Sequence, residues 1–257
     1  NNRSAGTFAK DSSRVELRDG NAYLTSLSMQ EKPVDFTYAA EQTVHAVVHV
    51  RTKSMVGPQA SNPIMEWFYG ERYSKPREVA GYGSGVIISA DGYIITNNHV
   101  IEDAENVEVK LNDNRLFNAE IIGRDPTTDI ALLKVKASNL PFIRYGDSDQ
   151  LRIGEWVLAV GNPFNLTSTV TAGIVSAKGR SLGILDADLR IESFIQTDAA
   201  LNMGNSGGAL VDTKGLLVGI TSAIFTPSGA YAGYSFAIPV AIVRKLVDDL
   251  KQFGEVQ

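Results

Sequence analysis

Gly204-Asn205-Ser206-Gly207-Gly208 sets a serine among glycines on what reads as a tight turn. Such a turn exposes the hydroxyl, and glycine lets backbone amides face a single point. That arrangement suits a nucleophile beside an oxyanion hole, where N–H groups must aim at developing negative charge. Glycine-serine turns are common, so the pentapeptide alone decides nothing. A neutral hydroxyl is a weak nucleophile near neutral pH and needs a base. The histidines of the chain are His45, His49 and His99. His45 and His49 stand four apart, so on a strand both would point to one face, as a metal pair or, more simply, as a polar strand face. His99 closes the apolar run Tyr93–Val100, and strand ends are places where functional groups collect.

An imidazole acting as base needs a third group to hold its tautomer. Asp129 stands directly ahead of the apolar run Ile130–Val135, where a partly buried carboxylate requires a partner. Asp125 is the rival, but Pro126 behind it marks a turn and exposure. The order His99, Asp129, Ser206, with spacings of 30 and 77 residues, is that of chymotrypsin-like enzymes. The pentapeptide also fits the Gly-x-Ser-x-Gly elbow of α/β-hydrolases. That fold places its histidine after the serine, and no histidine follows His99 here.

The elements that must position these residues read as strands. Six runs rich in Val, Ile and Thr precede residue 140: Val44–Val50, Ser84–Ser89, Tyr93–Asn97, Glu105–Leu111, Leu116–Gly123 and Ile130–Val135. Six more follow: Trp156–Gly161, Ser168–Gly179, Ser193–Thr197, Gly208–Asp212, Leu216–Phe225 and Gly233–Ile238. Turn pairs such as Asp91-Gly92 and Lys214-Gly215 separate them. The expected class is all-β, since the spacing is that of antiparallel β barrels or sandwiches, in two six-strand sets that meet near Pro141–Leu151 with the site between them. His99 and Asp129 fall in the first half and Ser206 in the second. Val240–Phe253 carries Ile242, Val243, Leu246, Val247, Leu250 and Phe253 at steps of three and four, the pattern of a helix packed on a barrel. Pro239 suits its first turn. Residues 1–35 read as a polar arm. The Gly57–Gly81 insertion, with Trp67, Phe68 and Tyr69, is a long loop that fits a docking partner.

Composition narrows the function further. The 257 residues are 44% hydrophobic and 21% charged with a net charge of -5, and no basic cluster stands out to neutralise nucleic acid phosphates. No apolar run is long enough for a membrane-spanning helix. Cysteine is absent, which removes thiol catalysis, disulfides and Cys-ligated zinc. No metal and no cofactor is expected. The chain begins at Asn1, consistent with a leader removed.

Three motifs in order give a specific resemblance over roughly residues 36–253: Gly83-Ser84-Gly85-Val86-Ile87-Ile88 with Thr96-Asn97-Asn98-His99-Val100; Thr128-Asp129-Ile130-Ala131-Leu132-Leu133-Lys134-Val135; and Gln196-Thr197-Asp198-Ala199-Ala200-Leu201-Asn202 with Gly204-Asn205-Ser206-Gly207-Gly208. The sequence resembles the HtrA (Deg) family of trypsin-like serine proteases. The resemblance implies a trypsin-like double barrel over 36–257 (first barrel 36–147, second 148–238, helix 240–253). It also implies ATP-independent endoproteolysis of unfolded or misfolded proteins in periplasmic or other extracytoplasmic quality control. A holding chaperone, binding unfolded chains with proteolysis secondary, is the alternative it carries.

By the same resemblance His99, Asp129 and Ser206 are the catalytic residues, and the amides of Gly204, Asn205 and Ser206 form the oxyanion hole. Leu201 and Ile224 line the specificity pocket, and Thr221, Ser222 and Ala223 offer a strand edge to substrate. Ala200 stands where a trypsin-like Lys/Arg preference requires an acid, which implies a small aliphatic residue before the cut. Asn205 lacks the charge that would capture a new N-terminus, so the resemblance implies activation by loop ordering instead, at Gly161–Thr167, Lys178–Glu192 and Phe225–Gly233. Met203 replaces a proline common in relatives. Homotrimers through the N-terminal region, with Phe36 and Tyr38 as contacts, are implied, as are hexamers or larger cages joined through the long insertion. PDZ domains, which follow the protease in most relatives, are not in this chain and are expected to have been trimmed from it.

Overall fold

A computed structural model describes residues 34–56, 77–163, 168–180, 193–222 and 233–256. Among them, β1 (Val47–Val56), β2 (Arg77–Ile87), β3 (Tyr93–Asn97), β4 (Asn106–Lys110), β5 (Leu116–Asp125) and β6 (Ile130–Val135) close a first antiparallel barrel in the order β1-β2-β3-β6-β5-β4. A second barrel closes as β10-β11-β12-β9-β8-β7. Its strands are β7 (Trp156–Gly161), β8 (Thr169–Arg180), β9 (Phe194–Thr197), β10 (Ala209–Asp212), β11 (Leu217–Thr221) and β12 (Ser235–Pro239).

Closure leaves no strand edge unpaired within a barrel, and the packing of the barrels on each other and on the C-terminal helix buries the outer face of some strands as well, which gives runs that are apolar throughout. Every residue of β11 is buried, and β6 is buried except at Lys134. A large apolar cluster runs from the first barrel into second-barrel strands, and a smaller one, including Val157, Ile195 and Leu210, fills the second barrel. The Asp212–Leu217 turn is built by Asp212, whose Oδ1 accepts from the N–H groups of Lys214 and Leu216, each at 2.9 Å. Gly215 takes the left-handed φ of 78° that this turn needs.

The strands match the sequence reading closely, with informative differences. Val44–Ala46 forms a 3₁₀ turn ahead of β1, so His45 and His49 do not share a strand face: His45 is exposed and His49 buried. Strand β2 begins at Arg77, so the end of the predicted insertion is ladder; Trp67, Phe68 and Tyr69 lie outside the described residues. A short helix, α1 (Thr37–Thr43), precedes the first barrel, with Asp35 Oδ1 accepting from Thr37 N–H at 2.9 Å. Phe36 packs on Trp156 of β7, ring centroids 5.2 Å apart, while Tyr38 remains exposed.

Two more helices complete the described fold: α2 (Asn98–Ile101) and α3 (Val240–Phe253). Helix α3 buries Val243, Leu246, Val247 and Leu250 against strands of both barrels, β5 and β6 as well as β11 and β12. Phe253, expected on the apolar stripe, is exposed. Pro239 is the residue before the helix, extended at ψ 140°, rather than in its first turn. Gly254 ends α3 at φ 74°, its N–H bonded to the Leu250 carbonyl.

Candidate active site

His99 sits two residues past β3, in α2 rather than at the end of the strand itself. Asp129 precedes β6, which pairs with β3 through Asn97↔Ile130. This pairing brings the two residues together across 30 positions of sequence. His99 Nδ1 and Asp129 Oδ2 are 2.8 Å apart, and the His99 backbone N–H donates to Asp129 Oδ1 at 2.9 Å. A bidentate hold of this kind fixes both the position and the tautomer of the ring, placing its proton on Nδ1. Their side chains are only 11% and 9% exposed.

Asp129 adopts φ 59°. That left-handed conformation is uncommon outside glycine, though aspartate tolerates it better than most. It is locked by the carbonyl of Asp129, which accepts from Asn98 N–H at 3.1 Å and Asn97 Nδ2 at 3.0 Å. Burial pulls the His99 pKa down, but the charge and hydrogen bond of Asp129, with the charge of Glu102, outweigh it and hold the group above its ordinary value of 6.5. Asp125, expected to be exposed, is buried; its carboxylate accepts from Thr127 N–H at 3.0 Å and Thr128 Oγ1 at 2.7 Å and so shapes the turn that delivers Asp129.

Ser206 lies on the turn between Leu201 and β10, half-buried. The carbonyls of this turn are held one after another. Gly204 O accepts from Ser84 Oγ at 2.6 Å, Asn205 O from Thr221 Oγ1 at 2.6 Å, and Ser206 O from Ser84 N–H at 2.8 Å. Ser84 belongs to β2, whose pairing with β3 leads directly to His99. Thr96 Oγ1 ties the same strands together by donating to Ser84 O at 2.8 Å. Gly204 and Gly207 hold φ of 92° and 84°, which the turn requires.

The three expected oxyanion amides differ. Asn205 N–H donates to Asn202 O at 3.0 Å and is therefore taken. Those of Gly204 and Ser206 have no backbone acceptor among the described residues. Leu201 is 1% exposed and packs in the smaller apolar cluster of the second barrel. Ile224 and Ala223 lie outside the described residues. Of the expected substrate edge, Thr221 uses both backbone groups internally, donating to Gly208 O at 2.9 Å and accepting from Gly207 N–H at 2.8 Å. Ser222 N–H goes to Phe236 O at 3.0 Å, and among the described residues its carbonyl accepts no backbone bond.

One contact has no local sequence signal. Ser222 Oγ donates to Asp129 Oδ2 at 3.0 Å across 93 residues and across the barrels. The carboxylate thus takes two hydrogen bonds from His99 and one from Ser222, an acceptor with little capacity left over.

The family model described as trypsin-like peptidase domain matches residues 83–220, which contain His99, Asp129 and Ser206. Solved structures of the HtrA-type protease AlgW are similar at the level of both fold and sequence. The one with a decapeptide is 42% identical with a TM-score of 0.73, covering 87% of this chain and 69% of that one. The chain belongs to the HtrA family of trypsin-like serine proteases. AlgW with a tripeptide is 40% identical with a TM-score of 0.72, covering 86% of this chain and 65% of that one. Among curated relatives, a probable periplasmic serine endoprotease DegP-like of Pseudomonas putida (strain GB-1) is 44% identical over 253 residues, 91% of this chain and 52% of the relative. Its counterpart in Marinomonas sp. (strain MWYL1) is 46% identical over 242 residues, 86% of this chain and 51% of the relative. The chain spans about half the length of these curated HtrA relatives. None of the described helices is long and apolar enough to cross a membrane.

Proposed function

We propose that this chain is the proteolytic part of a periplasmic serine endopeptidase that cuts unfolded or misfolded proteins. The observation that carries the reading is the His99–Asp129 pair, bonded at 2.8 Å and 2.9 Å, beside a turn that presents Ser206 from the opposite barrel. With its Nδ1 proton held by Asp129, the imidazole is left with Nε2 as its basic nitrogen. Ser206 Oγ attacks the peptide carbonyl while His99 takes its proton, and His99 then returns that proton to the departing amine. Asp129 stabilises the imidazolium formed in between. The Gly204 and Ser206 amides receive the oxyanion, each such donor lowering the barrier by about 3–4 kcal/mol.

Substrate choice follows from the pocket. Ala200 brings no negative charge and Ile224 would present apolar surface, with Leu201 packed in the core of the same barrel, so the residue before the cut is small and aliphatic. The carbonyl of Ser222 is a suitable acceptor for substrate backbone, in the manner of an added strand. The periplasmic setting rests on the names of the relatives, and assembly into trimers through Phe36 and Tyr38 belongs to the same reading.

The test is digestion of a permanently unfolded protein by this chain and by its Ser206→Ala variant, with cut sites read by mass spectrometry. Ser206-dependent cuts after Val, Ala or similar residues support the proposal. Tight binding of the unfolded protein by both chains, without cutting by either, would replace it with the holding-chaperone reading.

A further inference from the structure

Ser84 has none of its surface exposed, and its polar groups converge on the nucleophile turn. Its N–H donates to Ser206 O at 2.8 Å, and its hydroxyl donates to Gly204 O at 2.6 Å. The hydroxyl in turn accepts from Asn162 N–H at 2.9 Å, and the Asn162 carbonyl lies 2.9 Å from His49 Nδ1. A carbonyl can only accept, so the proton directions are fixed: His49 Nδ1–H to Asn162, Asn162 N–H to Ser84, Ser84 O–H to Gly204. The result is a one-way hydrogen-bond chain that leaves β1, passes the end of β7, returns to β2 and ends on the turn. His49, Asn162 and Ser84 are 3%, 3% and 0% exposed.

We propose that Ser84 is a positioning residue for the oxyanion hole. Its hydroxyl, aligned by Asn162, holds the Gly204–Asn205 peptide so that the amides of Gly204 and Ser206 face the substrate carbonyl. The inference rests on the reading of Ser206 as the nucleophile. Each peptide unit is a rigid trans plane, so holding Gly204 O fixes the Gly204–Asn205 plane, with its own N–H on Asn202 O, and the planes that carry the Gly204 and Ser206 N–H groups are the two joined to it on either side. Gly204, at φ 92°, has no Cβ to limit its rotation. The bond to Ser84 supplies the restraint that its side chain does not. Of three successive carbonyls in the turn, Ser84 holds two, and it does so from the barrel that carries His99. Base and oxyanion donors are therefore set by one strand pair, β2 with β3.

The test compares steady-state cleavage of a short peptide substrate by the full chain, Ser84→Ala, Ser84→Cys, Val135→Ala and Ser206→Ala. For Ser84→Ala, kcat is expected to fall about 100-fold, the scale of a lost oxyanion donor. KM should stay within about threefold, as for an interaction made only in the transition state. Affinity for a peptide aldehyde, whose adduct uses the same amides, should fall in parallel. Ser84→Cys keeps the size but donates weakly, and its kcat should lie between the two, about tenfold below the unaltered chain; it carries the test alone if Ser84→Ala does not fold. Val135→Ala truncates the first-barrel core away from the turn and should lower Tm while leaving kcat and KM unchanged. Unaltered kcat in a folded Ser84 variant overturns the proposal, as does an equal loss of kcat in Val135→Ala. If the unaltered chain has no turnover that Ser206→Ala removes, the nucleophile reading falls, and the inference falls with it.

Discussion

The Ser222 hydroxyl donates to Asp129 Oδ2 at 3.0 Å, so the carboxylate that orients a histidine of the first barrel is itself held from the second. The site is a joint between two barrels, and its parts are tied in both directions: Ser222 reaches Asp129, and Ser84 reaches Gly204 and Ser206.

Removing the first tie is expected to weaken catalysis without abolishing it. A hydrogen bond to a charged group contributes about 1.5–3 kcal/mol, and 1.36 kcal/mol is a factor of ten in rate. Ser222→Ala should therefore lower kcat/KM by roughly 10- to 150-fold, with His99 and Asp129 still bonded to each other. Steady-state kinetics on a peptide substrate checks this.

With the neutral imidazole as the proposed base, activity should rise with pH through an apparent pKa above 6.5, because Asp129 holds the imidazole proton more tightly than usual. In Asp129→Asn the attraction is gone and burial remains, so the acid limb of the pH–rate profile should move below its position in the unaltered chain. The rate itself should fall by about 10⁴, since the amide favours the wrong tautomer.

The two buried histidines oppose each other in stability. His99 has a raised pKa, so it contributes stability that is fully present below 6.5 and is lost as pH rises through its folded value. Burial lowers the pKa of His49, the Asn162 carbonyl opposes this, and the charges of Lys110 and Arg51 add to the lowering. At His49 the unfolded chain therefore binds protons more readily, and its contribution is lost as pH falls below 6.5 toward the folded value. His49→Gln should accordingly lose less of its Tm than the unaltered chain does on acidification below 6.5, as thermal melts across that range would record.

Gly207 has φ 84°, and a Cβ there would strike Ser84 O and Thr96 Oγ1. The left-handed backbone costs a residue with a Cβ about 1–2 kcal/mol, and forcing atoms into a packed site about 1–3 more. Gly207→Ala should lose about 2–5 kcal/mol of unfolding free energy by urea titration, because the barrel contact must open to admit it.

Much of this site was legible in the sequence because its signals are local. Runs rich in Val, Ile and Thr between turn pairs mark the strands, and β3, β6, β7 and α3 have the bounds that the pattern gives. The order His99, Asp129, Ser206 needs no structure. What the sequence hides is long-range or conformational. The family resemblance places Ser222 on a substrate-pairing edge, and nothing near it in sequence shows that its hydroxyl serves Asp129. The φ of 59° at Asp129 has no residue-type signature such as glycine gives. His99 was assigned to a strand end because the apolar run continues through Val100, yet the backbone coils at Asn98 once β3 leaves the ladder with β6. Likewise the four-residue spacing of His45 and His49 reads as one strand face only if the strand starts at Val44, and it starts at Val47.

The proposed function stands or falls with Ser206 as a nucleophile activated by His99. The most direct measurement is covalent labelling by a fluorophosphonate, with the modified residue located by mass spectrometry, on the chain and on its His99→Ala variant. A single adduct at Ser206 is expected, forming rapidly in the chain and largely lost without His99. Labelling at another residue, or equal labelling of Ser206 in both proteins, would contradict it.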